Sequence, residues 1–457
     1  MNLTLLSLSI SMLSNSPFLL LPAGYHSQSL RVNQIHLNLF FQNFLSSYSN
    51  LRASLRNSMF LHFLNSPISI SNMVQIECFQ FQKYENTQSI KVSEVCINSC
   101  QFINCKNSGS YTRGGAIRFE CMNSSLIVHA TTFDDCTSVS CGGAIFACGE
   151  EGYSFDSTNY LMTHKNMNKF YSHYCCYSGC SAQIYENHDE YKRYSGYGSA
   201  ILVASDDIEL NYSSSSECPK IESKHAYGAQ FDIKTKEVKS CFINATKGDS
   251  ICCAAIEYRN AISGFFSYQT IINQIGAFIT CFSSLEGPVS ISTCNLINNT
   301  LRYISNVDLC SLIYVMYKDV VISDFVVIES NIDNSLQQNG KQAHFAAPNS
   351  YDLKVTVQNC KIDKSMSKSE YFKDVQTINV IVDDRPKTHS IQLLNLGDCV
   401  GAVKPPPIYE TSIFTNSAHF SQSEKFSSST EFTVSKPFPP SQKFSKSGVF
   451  TSSQKFS

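Results

Sequence analysis

The chain has 457 residues, 16% of them charged, with a formal net charge of -2, 20 cysteines and no tryptophan. That balance offers no basic footprint for nucleic acid and no lysine cluster for an anionic lipid surface. The wholly apolar runs fall far short of the roughly 18 residues that a transmembrane helix needs.

Residues 1–24 carry no charge, and their apolar run is broken by serines, so 1–25 is an apolar N-terminal segment resembling a degenerate signal peptide. From 26 to 400 we expect one continuous domain. Near its start, Leu37, Leu39, Phe41 and Phe44 allow either short strands or a capping segment, since the end unit of a repeat array is atypical.

The main signal follows. Phe102-Ile103-Asn104-Cys105 precedes Gly114-Gly115-Ala116-Ile117, and Phe133-Asp134-Asp135-Cys136 precedes Gly142-Gly143-Ala144-Ile145. Self-similarity at a period of roughly 20 to 50 residues marks a repeat architecture. Weaker relatives of the glycine element begin at Ser181, Gly198, Gly228, Cys253 and Gly276, and either Ser181 or Gly198 begins no true coil. The Phe-x-x-Cys element degenerates into Phe242-Ile243-Asn244-Ala245 and Leu296-Ile297-Asn298-Asn299.

Successive strand side chains face opposite ways, so Ile117, Phe119 and Cys121 share the inner face while Arg118 and Glu120 point outward. A short strand, a Gly/Asn/Ser turn and a second strand within roughly 25 residues make one rung of a parallel β-helix, on the order of 15 rungs in all. β-Branched runs such as 353–357 and 378–382 agree, and sustained helical spacing is missing. A propeller blade would be longer, with four strands.

A tyrosine-rich stretch interrupts the repeats. It includes Tyr153, Tyr160, Tyr171 and Tyr174, a possible binding loop, because solenoid insertions emerge on one face and tyrosine offers broad contact area. The alternative is ordinary β-propensity and core stacking. Four acid pairs, Asp134-Asp135, Glu150-Glu151, Asp206-Asp207 and Asp383-Asp384, read as turns or exposed loops. The histidines form no metal spacing and there is no nucleophile elbow, so no catalytic, cofactor or metal residue is assigned. Cysteines at related places, Cys105, Cys136 and Cys175, suit a stacked column, while their even number also suits disulfides.

From Phe414 to Phe456, phenylalanine recurs every six residues with serine at the fourth position, so 401–457 is a low-complexity tail expected to be disordered, a stalk or a row of binding stickers.

Gly-Gly-Ala-Ile after Phe-x-x-Cys or Phe-x-x-Asn resembles the polymorphic membrane proteins of chlamydial type and related trichomonad surface proteins, and the hexad tail resembles those of the trichomonad members. The resemblance implies a right-handed parallel β-helix at the cell surface, used in adhesion, with no catalytic residue to carry over. The expectation is therefore an all-β, cysteine-rich, non-enzymatic protein, surface-exposed or secreted, whose partner is a protein or glycan on cell or matrix surfaces. The alternative is a carbohydrate-active β-helix enzyme.

Overall fold

In the computed structural model the described residues are 2–394, apart from 12–15, 22–27, 49–50, 72–92, 109–111, 157–158, 183–196, 220–228, 251, 284, 286, 303–308, 317–318, 334–340, 347–354, 364–371, 374 and 385. The chain divides into two units, Met1–Gly401 and Ala402–Ser457. The low-complexity tail expected to be disordered lies outside the described residues.

The first unit is a parallel β-helix. Among the described residues thirty-three strands form one hydrogen-bonded network, and every pairing within it is parallel. Each coil contributes up to three faces. The first face stacks Asn2–Leu6, Gln28–Asn33, Leu51–Arg56, Glu94–Asn98, Ser125–His129 and Met167–His173 in register. It continues through parts of longer strands to Val375–Ile378. The second face runs from Ser9–Ser11 to Ile381–Asp383, and the third from Leu19–Leu21 to Phe372–Lys373. The apolar segment 1–25 thus supplies strands of the first coil, whose Leu3, Leu5, Ile10 and Leu19 pack on the core. Leu37, Phe40 and Phe44 also belong to coil strands and their turns.

Register converts the sequence repeat into columns. Leu37, Phe60, Phe102, Phe133 and Tyr177 occupy successive coils at one inward position. Their last four rings stack with centroids 4.8, 5.1 and 5.0 Å apart and nearly parallel planes. Each fully buried ring contributes about 1.5–3 kcal/mol. Ser215 follows Tyr177 in this column, and three residues on from Phe102, Phe133, Tyr177 and Ser215 stand Cys105, Cys136, Cys180 and Cys218, all fully buried. The third partner of the Phe-x-x-Cys repeat is therefore Tyr177-Ser178-Gly179-Cys180. Cys175 belongs elsewhere, in register with Cys100 and Thr131, because Phe170 pairs with Leu126 and not with Phe133.

The Gly-Gly-Ala-Ile repeat also resolves. Ile68, Ile117, Ile145, Ile201, Phe231 and Ile256 form one inward column, so the element at Gly198 is a true copy. Ser181-Ala182 instead aligns with Thr137-Ser138. At Gly276 the register slips, and Thr280 opposite Ile256 takes the place expected for Ile279. Each glycine has its own cause. Gly114, Gly142 and Gly198 have φ near +64°, a left-handed conformation that costs other L-residues about 1–2 kcal/mol. A β-carbon at Gly115 or Gly143 would collide with the backbone of neighbouring coils.

Three further expectations change. Phe242 does not continue the Phe-x-x-Cys column: Ala245 holds that position, in register with Ser215 and Ile271. The run Ile378–Val382 turns at Asn379, with φ of 50°, and so joins two strands. Glu120 points outward as expected but is 3% exposed, because Arg113 and Arg118 close over it and an outer apolar cluster of Cys141, Phe146, Cys148, Leu202 and Ala204 shares its face.

Candidate functional site

The turn between the first and second faces repeats as strictly as the core. One residue per coil adopts left-handed φ there: Ser7, Gln34, Asn57, Ser99, Ala130, Tyr174, Tyr212, Phe242, Tyr268, Thr293, Asp324, Asn359 and Asn379, all between 44° and 57°. This single residue bends the chain, so the next side chain returns to the core, as Cys100, Cys175, Ile243 and Cys294 do. Asparagine and aspartate tolerate this conformation better than other residues with a β-carbon, and here Asn379 also donates to Asn359 of the preceding coil at 2.9 Å.

Four successive coils place an aromatic at that turn instead. Tyr174, Tyr212, Phe242 and Tyr268 stack with centroids 5.0, 4.4 and 5.0 Å apart and planes within 8° of parallel. These spacings exceed the roughly 3.5–4.0 Å of carbon contact, so the rings are offset, each leaving part of its face and edge to solvent. The terminal Tyr174 and Tyr268 are 40% and 43% exposed, and the inner two are half-buried. His129 packs edge-on against Tyr174 at 5.6 Å and closes that end. At the other end the turn column continues with Thr293.

Beside this ladder the outer side of the first face is polar. Tyr171 donates to Asp207 at 2.9 Å, Lys239 bridges Asp207 and Glu237 at 3.1 and 3.2 Å, and Lys236 meets Asp206 at 3.0 Å. His173 lies 3.3 Å from Glu209, yet burial pushes its pKa below the ordinary value against that pull. The pair Asp206-Asp207 thus sits inside the strand Ile201–Asn211, not in a loop, because the chain passes from the third face to the first without a turn. Glu150-Glu151 likewise opens the strand Glu150–Asp156, which forms an antiparallel hairpin with Asn159–Lys165. Asp135 does occupy a turn, with φ of 50°.

Of the tyrosines singled out from the sequence, Tyr171 and Tyr174 stand on the coil itself, on the first face and its turn. Tyr153 and Tyr160 fall in the hairpin strands, and their side chains lie outside the described residues. Tyr212, Phe242 and Tyr268 were missed. They share with Tyr174 only the place after a strand whose preceding residue faces outward, a signal that insertions between coils obscure.

A second cluster covers the outer side of the third face. Arg259 reaches Asp232 at 2.7 Å and Glu257 at 3.0 Å, and its guanidinium lies 5.2 Å from the centre of the Tyr197 ring. Asp232 and Glu257 stand on adjacent coils in direct register. Burial pushes the Asp232 carboxyl up to about 7, against the pull of Arg259 and with help from Glu257. Two carboxylates that share a guanidinium cross-link neighbouring coils, whereas glycosidase chemistry requires carboxylates held either side of a sugar linkage. Among the described residues no group of three or more His, Cys, Asp or Glu is placed to hold a metal ion, and no helix is long and apolar enough to cross a membrane.

No protein-family model matches the chain, and a search of curated proteins finds no match.

Proposed function

We propose that the chain is a non-enzymatic adhesive β-helix, displayed at a cell surface or secreted, whose ligand lies along the Tyr174–Tyr268 ladder. The observation that supports this is the ladder's position. Large aromatic rings at left-handed turns are strained by about 1–2 kcal/mol each, while stacking returns about 0.5–1.5 kcal/mol per pair. The same turn is made in other coils by Asn57, Asn359 and Asn379, with side-chain hydrogen bonds from one coil to the next. Folding alone therefore gives no reason for four consecutive aromatics, and strained, exposed residues of this kind gather where function demands them. The resemblance to polymorphic membrane proteins and trichomonad surface proteins points the same way.

The test is attachment of beads carrying the full chain to living cells and to extracellular matrix. Beads carrying the native chain should attach, and those carrying Tyr212→Gly with Phe242→Asn should not, both proteins keeping the same circular dichroism and melting temperature. Equal attachment would remove the ladder from the adhesive surface, and no attachment by either would remove adhesion itself.

A further inference from the structure

We infer that the ladder is a binding site for an uncharged linear polysaccharide lying parallel to the helix axis. The inference rests on the adhesive reading above and names its ligand class. Three features carry it: period, polarity and charge.

Period comes first. Ring centroids recur at 4.4 to 5.0 Å because each coil adds one strand spacing of about 4.8 Å. An extended peptide presents same-face side chains at roughly twice its 3.3 Å rise, out of step with the rings after one contact. A chain of six-membered sugars joined in extended linkage repeats once per sugar, with a step of the same order as the strand spacing. One sugar thus meets one ring, over four steps.

Polarity narrows the class further. Offset stacking exposes ring edges, which are electropositive and favour oxygen, alongside partial faces that favour C–H groups. Three of the four rings carry a hydroxyl that both donates and accepts. A sugar ring has the matching alternation of C–H patches and oxygens. Phe265, 40% exposed on the outer side of the same coil that carries Tyr268, extends the apolar part of the surface.

Charge gives no patch of one sign for an ionic polymer. Asp206 pairs with Lys236, and Asp207 and Glu237 share Lys239. Exposed Lys169 stands in register with Asp207, and Glu209 faces a His173 that burial pushes toward its neutral form. Isolated charges of both signs favour neither a sulfated or uronic chain nor a polycation.

The experiment is affinity electrophoresis and calorimetry of the full chain with neutral β-linked glucans, xylan and chitin oligosaccharides, from disaccharide to octasaccharide. Because tryptophan is absent, tyrosine emission is not masked, and any change on binding should be lost in the ladder variant. Affinity should rise with chain length up to the oligomer that spans four rings and then level off. It should be insensitive to salt, and should fall at least about tenfold in Tyr212→Gly with Phe242→Asn, as expected for lost stacking at two of four steps. Absence of binding to every neutral chain would overturn the inference, as would binding that weakens with salt. Ladder-dependent self-association seen by sedimentation, without glycan binding, would also overturn it and assign the surface to a second copy of the chain. If beads still attach to cells whose glycans have been destroyed by periodate, the glycan inference fails while adhesion stands.

Discussion

Two aromatic columns run along this molecule, built from the same kinds of residue and put to opposite uses. Phe60, Phe102, Phe133 and Tyr177 stack inside, with no exposure, while Tyr174, Tyr212, Phe242 and Tyr268 stack outside at a turn. Tyr174 and Tyr177 are three residues apart and belong to different columns. Stacking geometry is nearly the same in both, so it is not what separates them. The inner column gains complete burial of apolar area, while the outer one gains ring contact and only partial burial and bears backbone strain. The first is explained by folding, and the second needs a reason beyond it.

The sharpest way to break this comparison is to remove a ring from each side. Phe133→Ala should cost about 3–5 kcal/mol, seen as a lower denaturation midpoint and as lost amide protection in the paired strands Gln101–Ile103 and Cys176–Ser178. Phe242→Asn in the outer column should change stability by less than about 1 kcal/mol, since relief of left-handed strain offsets lost stacking. If thermal melting ranks the two equally, the division into core and display fails.

A smaller effect concerns pH. The Asp232 carboxyl is raised in the folded state, so the native protein holds a proton that the unfolded chain releases near the ordinary value of 3.8. Its contribution is present below about 4 and is lost as pH rises through about 7, so the melting temperature should fall across that window. Asp232→Asn should flatten this part of the profile, and an unchanged slope would show that Arg259 keeps the carboxylate charged throughout. Smallest in energy, but simplest to read, is thiol labelling. Burial pushes the Cys136 and Cys218 thiols up and the Cys175 thiol to about 11, so these cysteines should label only after denaturation. Rapid labelling in the native protein would contradict the packed column.

Much of the scaffold was legible in the sequence for physical reasons. Gly-Gly-Ala-Ile survives because a left-handed turn and a close coil-to-coil approach both exclude a β-carbon, and such constraints leave recognisable residues. Inward positions such as Ile117 and Phe119 follow from alternation alone. The outer ladder was not legible, because its backbone demand is met by Ser, Gln, Asn, Ala, Thr and Asp in other coils, and uneven insertions hide the register. Phe242 was drawn into the wrong column for the same reason: Phe-Ile-Asn fits the repeat pattern locally, yet pairing places Ala245 there. Glu120 shows a different limit. Its direction was right and its exposure was not, because strand alternation says nothing of what covers the outer side.

The left-handed turn column has an evolutionary side. Its occupants range from Ala130 to Tyr268 without disturbing the side chain that follows each of them into the core. Thirteen consecutive coils therefore offer sites where substitution alters what the surface displays and leaves the fold almost indifferent. A lineage built on such a rod has latitude to change its exposed turn residues one coil at a time, and the aromatic block at coils six to nine is one setting among many that the same backbone would accept.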